Sequence, residues 1–203
     1  MNTKRVKLPL WRWDPFLLGV LIVASLIGTV FERLAVPVLT PIGLTVVLTI
    51  GAAAAVLIVL PLFVRSLRRD GEGTLELGPG ISLEEVAASD SDTVLPVVDG
   101  KRMQGSIEAA VAHGDAPFTA VLVPRATAWL GRDYRVAVDL LVGGKLYRAG
   151  YLPREIDQRV DARLTPLARS AQYVMVPASI LNPKKPFTVR VAVGTSLGAS
   201  DPR

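Results

Sequence analysis

The sequence predicts an α+β protein: a two-helix transmembrane hairpin followed by a small antiparallel β-barrel with two helices. Three observations predict it. Half of the 203 residues are hydrophobic and the mean hydropathy is +0.41, yet the apolar residues crowd into the first third. An acidic stretch rich in glycine and serine follows at 70–93. Beyond it the apolar pattern changes to mixed helical and alternating periods, as in a compact domain.

Residues 15–31 run seventeen positions without a charge, and residues 41–64 run twenty-four. A helix rises about 1.5 Å per residue and the hydrocarbon core is about 30 Å thick, so roughly 20 apolar residues cross it. The spans are expected at about 14–33 and 41–64, within a hairpin region 1–69. A cleavable signal peptide is the rival for the first span, because Lys4, Arg5, Lys7 and Arg12 precede it. The apolar stretch is long for that role, and no Ala-x-Ala site follows.

Four bases precede the first span, and Arg65, Arg68 and Arg69 follow the second, whereas the connection 32–40 holds one base and one acid. The positive-inside rule then places both termini in the cytoplasm, for a multi-pass protein of the inner (plasma) membrane. Trp11 and Trp13 stand where an interfacial anchor belongs. Ala24 with Gly28, and Gly51 with Ala55, are small residues four apart that let helix backbones approach, in the hairpin or between copies. Neither apolar stretch holds an ionisable group, which argues for an anchor rather than a transport path.

The chain has no cysteine, and His113 is its only histidine, so disulfides, thiolate metal sites and histidine triads are excluded. The net charge of +5 is unevenly spread. Residues 1–69 carry eight bases against Asp14 and Glu32, residues 70–100 carry eight acids and no base, and residues 101–203 carry fifteen bases against eight acids. A basic balance suits phosphate backbones or anionic lipid heads, or is simply a solvated surface.

In the linker a short strand is expected at 74–77 and a brief helix at 83–88. The domain spans 94–194, with 195–203 as a tail. Its first strand is expected at 94–98. Met103, Ile107, Ala110 and Val111 fall at helical spacing, with Gly114 as the C-cap. A strand at 118–123 ends at Pro124. Tyr134, Val136, Val138 and Leu140 alternate with Arg135, Ala137 and Asp139, the pattern of a half-buried strand. Gly143-Gly144 turns the chain into a hairpin partner at Lys145–Tyr151. Ile156, Val160, Leu164 and Leu167 mark one face of a helix. Strands at 173–176 and 187–193 complete a curled sheet of about six strands, with helices plugging its ends.

Tyr134-Arg-Val-Ala-Val, then Gly143-Gly144-Lys145, then Gly150-Tyr151-Leu152-Pro153-Arg154-Glu155, resembles the centre of a HIRAN domain. The resemblance covers about 94–194. It implies an OB-like barrel, which in better-known members of that family binds single-stranded DNA ends beside helicase or nuclease modules. This chain has no such modules. The family's ligand loop reads close to Asp-Asn-Pro-Tyr-Asp-x-Asn-Ala, but here the stretch is Ala126-Thr-Ala-Trp-Leu-Gly-Arg-Asp-Tyr-Arg135. The first acid and amide are missing, Asp133 lies one place from the expected acid, and Tyr134-Arg135 stands at the Asn-Ala position.

Loop 125–135 holds Arg125, Trp129, Arg132, Asp133, Tyr134 and Arg135. Guanidinium groups beside aromatic faces bind phosphate and stack bases. A surface loop whose rings pack on the barrel is the competing reading. Lys145, Arg148, Tyr151 and Arg154 flank the hairpin and the helix start, where they extend a positive patch or serve as solvated edge charges. His113 suits a helix C-terminus, and Lys184 and Lys185 a solvated turn. No nucleophile stands beside a base, and no phosphate-binding glycine motif occurs.

These readings describe a non-catalytic binding module, anchored in the membrane and presented to the cytoplasm, that takes nucleic-acid ends or another anionic ligand. The alternative is a structural or interaction subunit of a membrane complex. No cofactor or metal is expected. The expected partners are the lipid bilayer, single-stranded nucleic acid or a protein partner, and a second copy through the small-residue helix faces.

Overall fold

A computed structural model describes residues 7–10, 13–34, 39–63, 75–86, 93–127, 131–182, 184–194 and 197. They fall into two compact units, one holding both long helices together with Arg132, the other holding the sheet.

In the helical unit, α1 (Asp14–Leu34) and α2 (Leu39–Phe63) are 21 and 25 residues long. At about 1.5 Å per residue they measure roughly 31 and 37 Å, enough to cross a bilayer core. Asp14 and Pro15 open α1, an acid at the positive end of the helix dipole and a ring whose fixed φ suits a first turn. Only 6% of each apolar window is buried within the protein. Ile22, Leu26, Ile42 and Leu48 are each more than 60% exposed. The hydroxyls inside the helices turn back on their own turns, Ser25 Oγ donating to the Leu21 carbonyl at 2.9 Å and Thr49 Oγ1 to that of Thr45 at 2.8 Å. That satisfies each hydroxyl without water.

Close approach in the hairpin occurs at Gly43, where an added Cβ would come within 2.7 Å of the Phe31 ring. The two expected small-residue pairs lie elsewhere. Ala24, Gly28, Gly51 and Ala55 line an open groove between α1 and α2.

The sheet unit contains β1 (Ser82–Glu85), β2 (Thr93–Pro96), a 3-10 turn (Gly100–Met103), α3 (Gln104–His113), β3 (Phe118–Thr127), β4 (Tyr134–Val142), β5 (Lys145–Tyr151), α4 (Arg154–Arg169), β6 (Gln172–Ile180) and β7 (Val189–Val193). The strand order is β2-β7-β6-β3-β4-β5. All these pairs are antiparallel, and β1 alone joins in parallel, beside residues 172–175 of β6, leaving residues 178–180 to β7. The result is an antiparallel sheet curled into a half-barrel. Its two end strands meet where Val98 and Tyr151 exchange backbone hydrogen bonds of 2.9 and 3.0 Å.

Gly150 makes that meeting possible. It has φ +149°, and a Cβ there would run into the Val98 carbonyl oxygen. Gly143 and Gly144, at φ +56° and +72°, form the expected two-residue hairpin turn. Ile107 and Ala110 of α3, with Ile156, Val160 and Leu164 of α4, pack with Leu122, Val138, Leu140 and Val176 on one face. A smaller core lies on the other face. There Leu75, Leu77, Ile81 and Leu83 cover Val121, Val123, Ala137 and Tyr151.

Several expectations are corrected. Residues 82–85 form a strand where the brief helix 83–88 was expected, because the edge of β6 offers unpaired hydrogen-bonding groups and Leu83 finds apolar cover. Residues 75–77 lie outside any strand. Pro124 does not end β3, which continues to Thr127 through a bulge between Val123 and Ala126 that leaves Pro124 without a ladder bond to donate. Gly114 does follow α3, but with extended φ and ψ of −150° and 158°; its bare Cα is needed because a Cβ would come within 2.5 Å of Val142. β4 is buried on both faces rather than half-buried, since the chain before β1 covers the side that alternation assigned to solvent.

Candidate ligand-binding site

Residues expected to bind a ligand separate into three groups. Arg132 belongs to the helical unit. Its Nε donates to the Leu8 carbonyl at 2.9 Å, its own carbonyl accepts the Leu8 N–H at 2.8 Å, and its guanidinium lies 6.0 Å from the Trp13 ring centre. Trp129 lies outside the described residues.

The second group is internal. Arg135 is 4% exposed. Its Nη1 donates to Asp99 at 2.7 Å, its Nε to Asp157 at 3.1 Å and its Nη2 to the Leu152 carbonyl at 2.7 Å. Asp157 uses its other oxygen to accept the Val136 N–H at 2.6 Å. The Tyr151 ring centre is 4.9 Å from the Arg135 guanidinium and 5.8 Å from that of Arg148, and its hydroxyl donates to the Thr127 carbonyl at 2.9 Å. Arg148 in turn donates to both oxygens of Asp139. This ionic lattice knits β4, β5 and the start of α4 around the meeting point of the end strands.

Gly150-Tyr151-Leu152-Pro153-Arg154-Glu155, the motif that carries the family resemblance, is thus largely architectural. Gly150 admits Val98, Tyr151 bridges to it, Leu152 is fully buried, and the Pro153 carbonyl accepts the N–H groups of Ile156 and Asp157 as α4 begins.

Burial raises the carboxyl pKa values of Asp139, Asp157 and Asp161 above the ordinary 3.8. Arg148 opposes the shift at Asp139. At Asp157 the opposition comes from the Val136 N–H and Arg135, and at Asp161 from the N–H and guanidinium of Arg125. Burial also works against the Arg148 charge, but Asp139 and Tyr151 outweigh it and raise that pKa.

The third group faces solvent. Arg125 sits in the β3 bulge at φ +56°, in left-handed backbone that a non-glycine residue rarely adopts. Its N–H donates to Asp161 Oδ1 at 2.8 Å, which fixes the loop, and its exposed guanidinium lies 4.9 Å from the Tyr134 ring centre. Arg154 is exposed at the first turn of α4. Lys145 is also exposed, but it pairs with Val142, eight residues along β4 from Tyr134, or roughly 26 Å at about 3.3 Å per residue. The fold therefore does not bring Lys145 to the loop. Asp133 is half-buried at the start of β4.

Comparison with protein-family models, curated proteins and solved structures gives no match for this chain.

The residues that sequence reasoning passed over are the counter-ions Asp99, Asp139, Asp157 and Asp161. A signal existed for Asp139. It shares one face of β4 with Arg135 and lies across the hairpin from Arg148, a pattern that suits internal pairing as well as solvent.

Elsewhere, Lys185 forms a 2.7 Å ion pair with Glu108 across half-exposed surface, and His113 donates from Nδ1 to the Ala109 carbonyl at 2.7 Å. The His113 ring stacks at 6.2 Å on Tyr147.

Proposed function

We propose that this chain is a membrane-anchored, non-catalytic binding module. It presents a HIRAN-like, OB-like barrel to the cytoplasm and holds an anionic ligand on Arg125, Tyr134 and Arg154. The anchor is supported by two long helices that leave many large apolar side chains, such as Ile22, Leu26, Ile42 and Leu48, uncovered by the protein, a surface suited to hydrocarbon. The cytoplasmic orientation is supported by the basic flanks. The binding role is carried by one observation: Arg125 is held by its backbone on Asp161 while its exposed guanidinium lies over Tyr134. A cation beside an aromatic face suits a phosphate and an adjoining base, so a single-stranded nucleic-acid end is the first ligand to test. The non-catalytic side rests on Asp139 and Asp157, whose carboxylates are each engaged by an arginine inside the domain.

The test uses the full chain in nanodiscs of neutral lipid and a fluorescent single-stranded oligonucleotide at low salt. The double variant R125E/R154E is expected to bind at least ~10-fold more weakly, with a log–log salt slope shallower by about 1.4, at ~0.7 per phosphate contact. Charge reversal of Arg135 is no such test, because it would break the internal lattice. Wild-type protein that binds no oligonucleotide at low salt overturns the nucleic-acid reading.

The open groove lined by Ala24, Gly28, Gly51 and Ala55 favours a second reading, a structural or interaction subunit whose spans pack with a neighbour or a second copy. One stoichiometric partner recovered from solubilised membranes would favour it.

A further inference from the structure

The charges of α4 are segregated. Two of its three acids turn inward, Asp157 to Arg135 and the Val136 N–H, and Asp161 to the Arg125 N–H. Arg159, Arg163 and Arg169 are exposed on its outer side, against the single exposed acid Glu155, a net of +2 from three bases less one acid; Arg154, also exposed, belongs to the flank of Asp161 and Arg125. The apolar face of the helix is spent on the core through Ile156, Val160 and Leu164. At about 100° per residue, Arg159 and Arg163 stand roughly 160° and 200° round the helix from Asp161, on the side away from the flank that meets Arg125, with Arg169 about 80° round, whereas Arg154 stands about 20° from Asp161 on that flank.

We propose that this outer face of α4 is an electrostatic docking surface for anionic phospholipid headgroups. The proposal rests on the membrane-anchored reading above. The charge suits a polyanion, and two features favour the lipid surface over a nucleic acid. The exposed positions of α4 include no aromatic residue, so the face offers no platform for stacked bases. A domain joined to two membrane spans also meets headgroups at a high effective concentration, so weak contacts suffice. Each arginine near an anionic leaflet multiplies occupancy roughly five-fold, and the effect fades beyond a Debye length. With its apolar side buried, α4 adsorbs to the surface and does not insert.

The chain has no native cysteine, so Ala162→Cys on the exposed face of α4 accepts a single fluorophore. The full chain is reconstituted into discs of pure phosphatidylcholine, or of phosphatidylcholine with one third phosphatidylglycerol, each carrying a headgroup quencher. Quenching is expected in the anionic discs alone, with at least ~10-fold less occupancy in R159E/R163E, an intermediate loss in R159Q/R163Q, and release by high salt. Equal quenching in both kinds of disc, quenching that survives R159E/R163E, or an unquenched label in anionic discs overturns this proposal alone. A label that responds instead to single-stranded oligonucleotide in neutral discs reassigns the face and also overturns it. A chain that enters neither kind of disc overturns the anchored reading and this proposal with it.

Discussion

The two units solve the same problem in opposite ways. The helical unit leaves Ile22, Leu26 and Leu48 uncovered and folds its hydroxyls back on its own carbonyls. The sheet unit buries its apolar side chains on both faces and draws even its charges inside, pairing Arg135 with Asp157 and Arg148 with Asp139. On the membrane-anchored reading proposed above, the difference is one of solvent. A helix in hydrocarbon gains nothing by hiding leucine, but it has to satisfy every polar group locally. A domain in water gains by hiding leucine, and it tolerates a buried charge only with a partner.

If that contrast holds, the largest loss on substitution in the sheet unit comes from a charge. Arg135→Ala strands Asp157 in a buried site and is expected to cost about 3–5 kcal/mol. Chemical denaturation of the full chain in neutral discs, followed by a sheet-specific signal, measures it. Arg163→Ala, on the exposed face of α4, should leave the same midpoint in place. Equal midpoints for the two variants would show that the internal lattice contributes little.

A smaller effect sharpens the contrast through pH. Because burial raises the folded-state pKa values of Asp139, Asp157 and Asp161 above 3.8, the folded domain holds protons that the unfolded chain releases. Between 3.8 and the raised values the folded state therefore binds more protons, and stability falls as pH rises through that window. These three groups should make the sheet unit modestly more stable at pH 5 than at pH 7, whereas carboxylates with lowered pKa values would do the reverse. Thermal midpoints at the two pH values decide the sign.

Much of this architecture was legible in the sequence. The uncharged runs mark the helices α1 and α2 nearly to the residue, because an unbroken apolar run of that length has no local signal to interrupt a helix. The hairpin at Gly143-Gly144 was equally clear, since a two-residue turn with two positive φ values calls for glycine. Strand β1 was not. Its pairing with β6 is a long-range event, and Leu83-Glu84-Glu85 carries no local mark of it. The candidate site was legible only in part. Arg125 is exposed and lies 4.9 Å from the ring centre of the half-buried Tyr134, but Arg135 and Arg148, read from the same basic pattern, are turned inward by acids distant in sequence. A charge on a strand looks solvated until both faces of that strand are known to be covered.

The contrast between the units is tested most directly by washing membranes that contain the full chain with alkaline carbonate and assaying pellet and supernatant. Two lipid-solvated helices predict that the chain stays in the pellet and leaves only with detergent. A chain released intact into the supernatant would mean that the apolar faces of α1 and α2 are covered by protein, and would contradict the account.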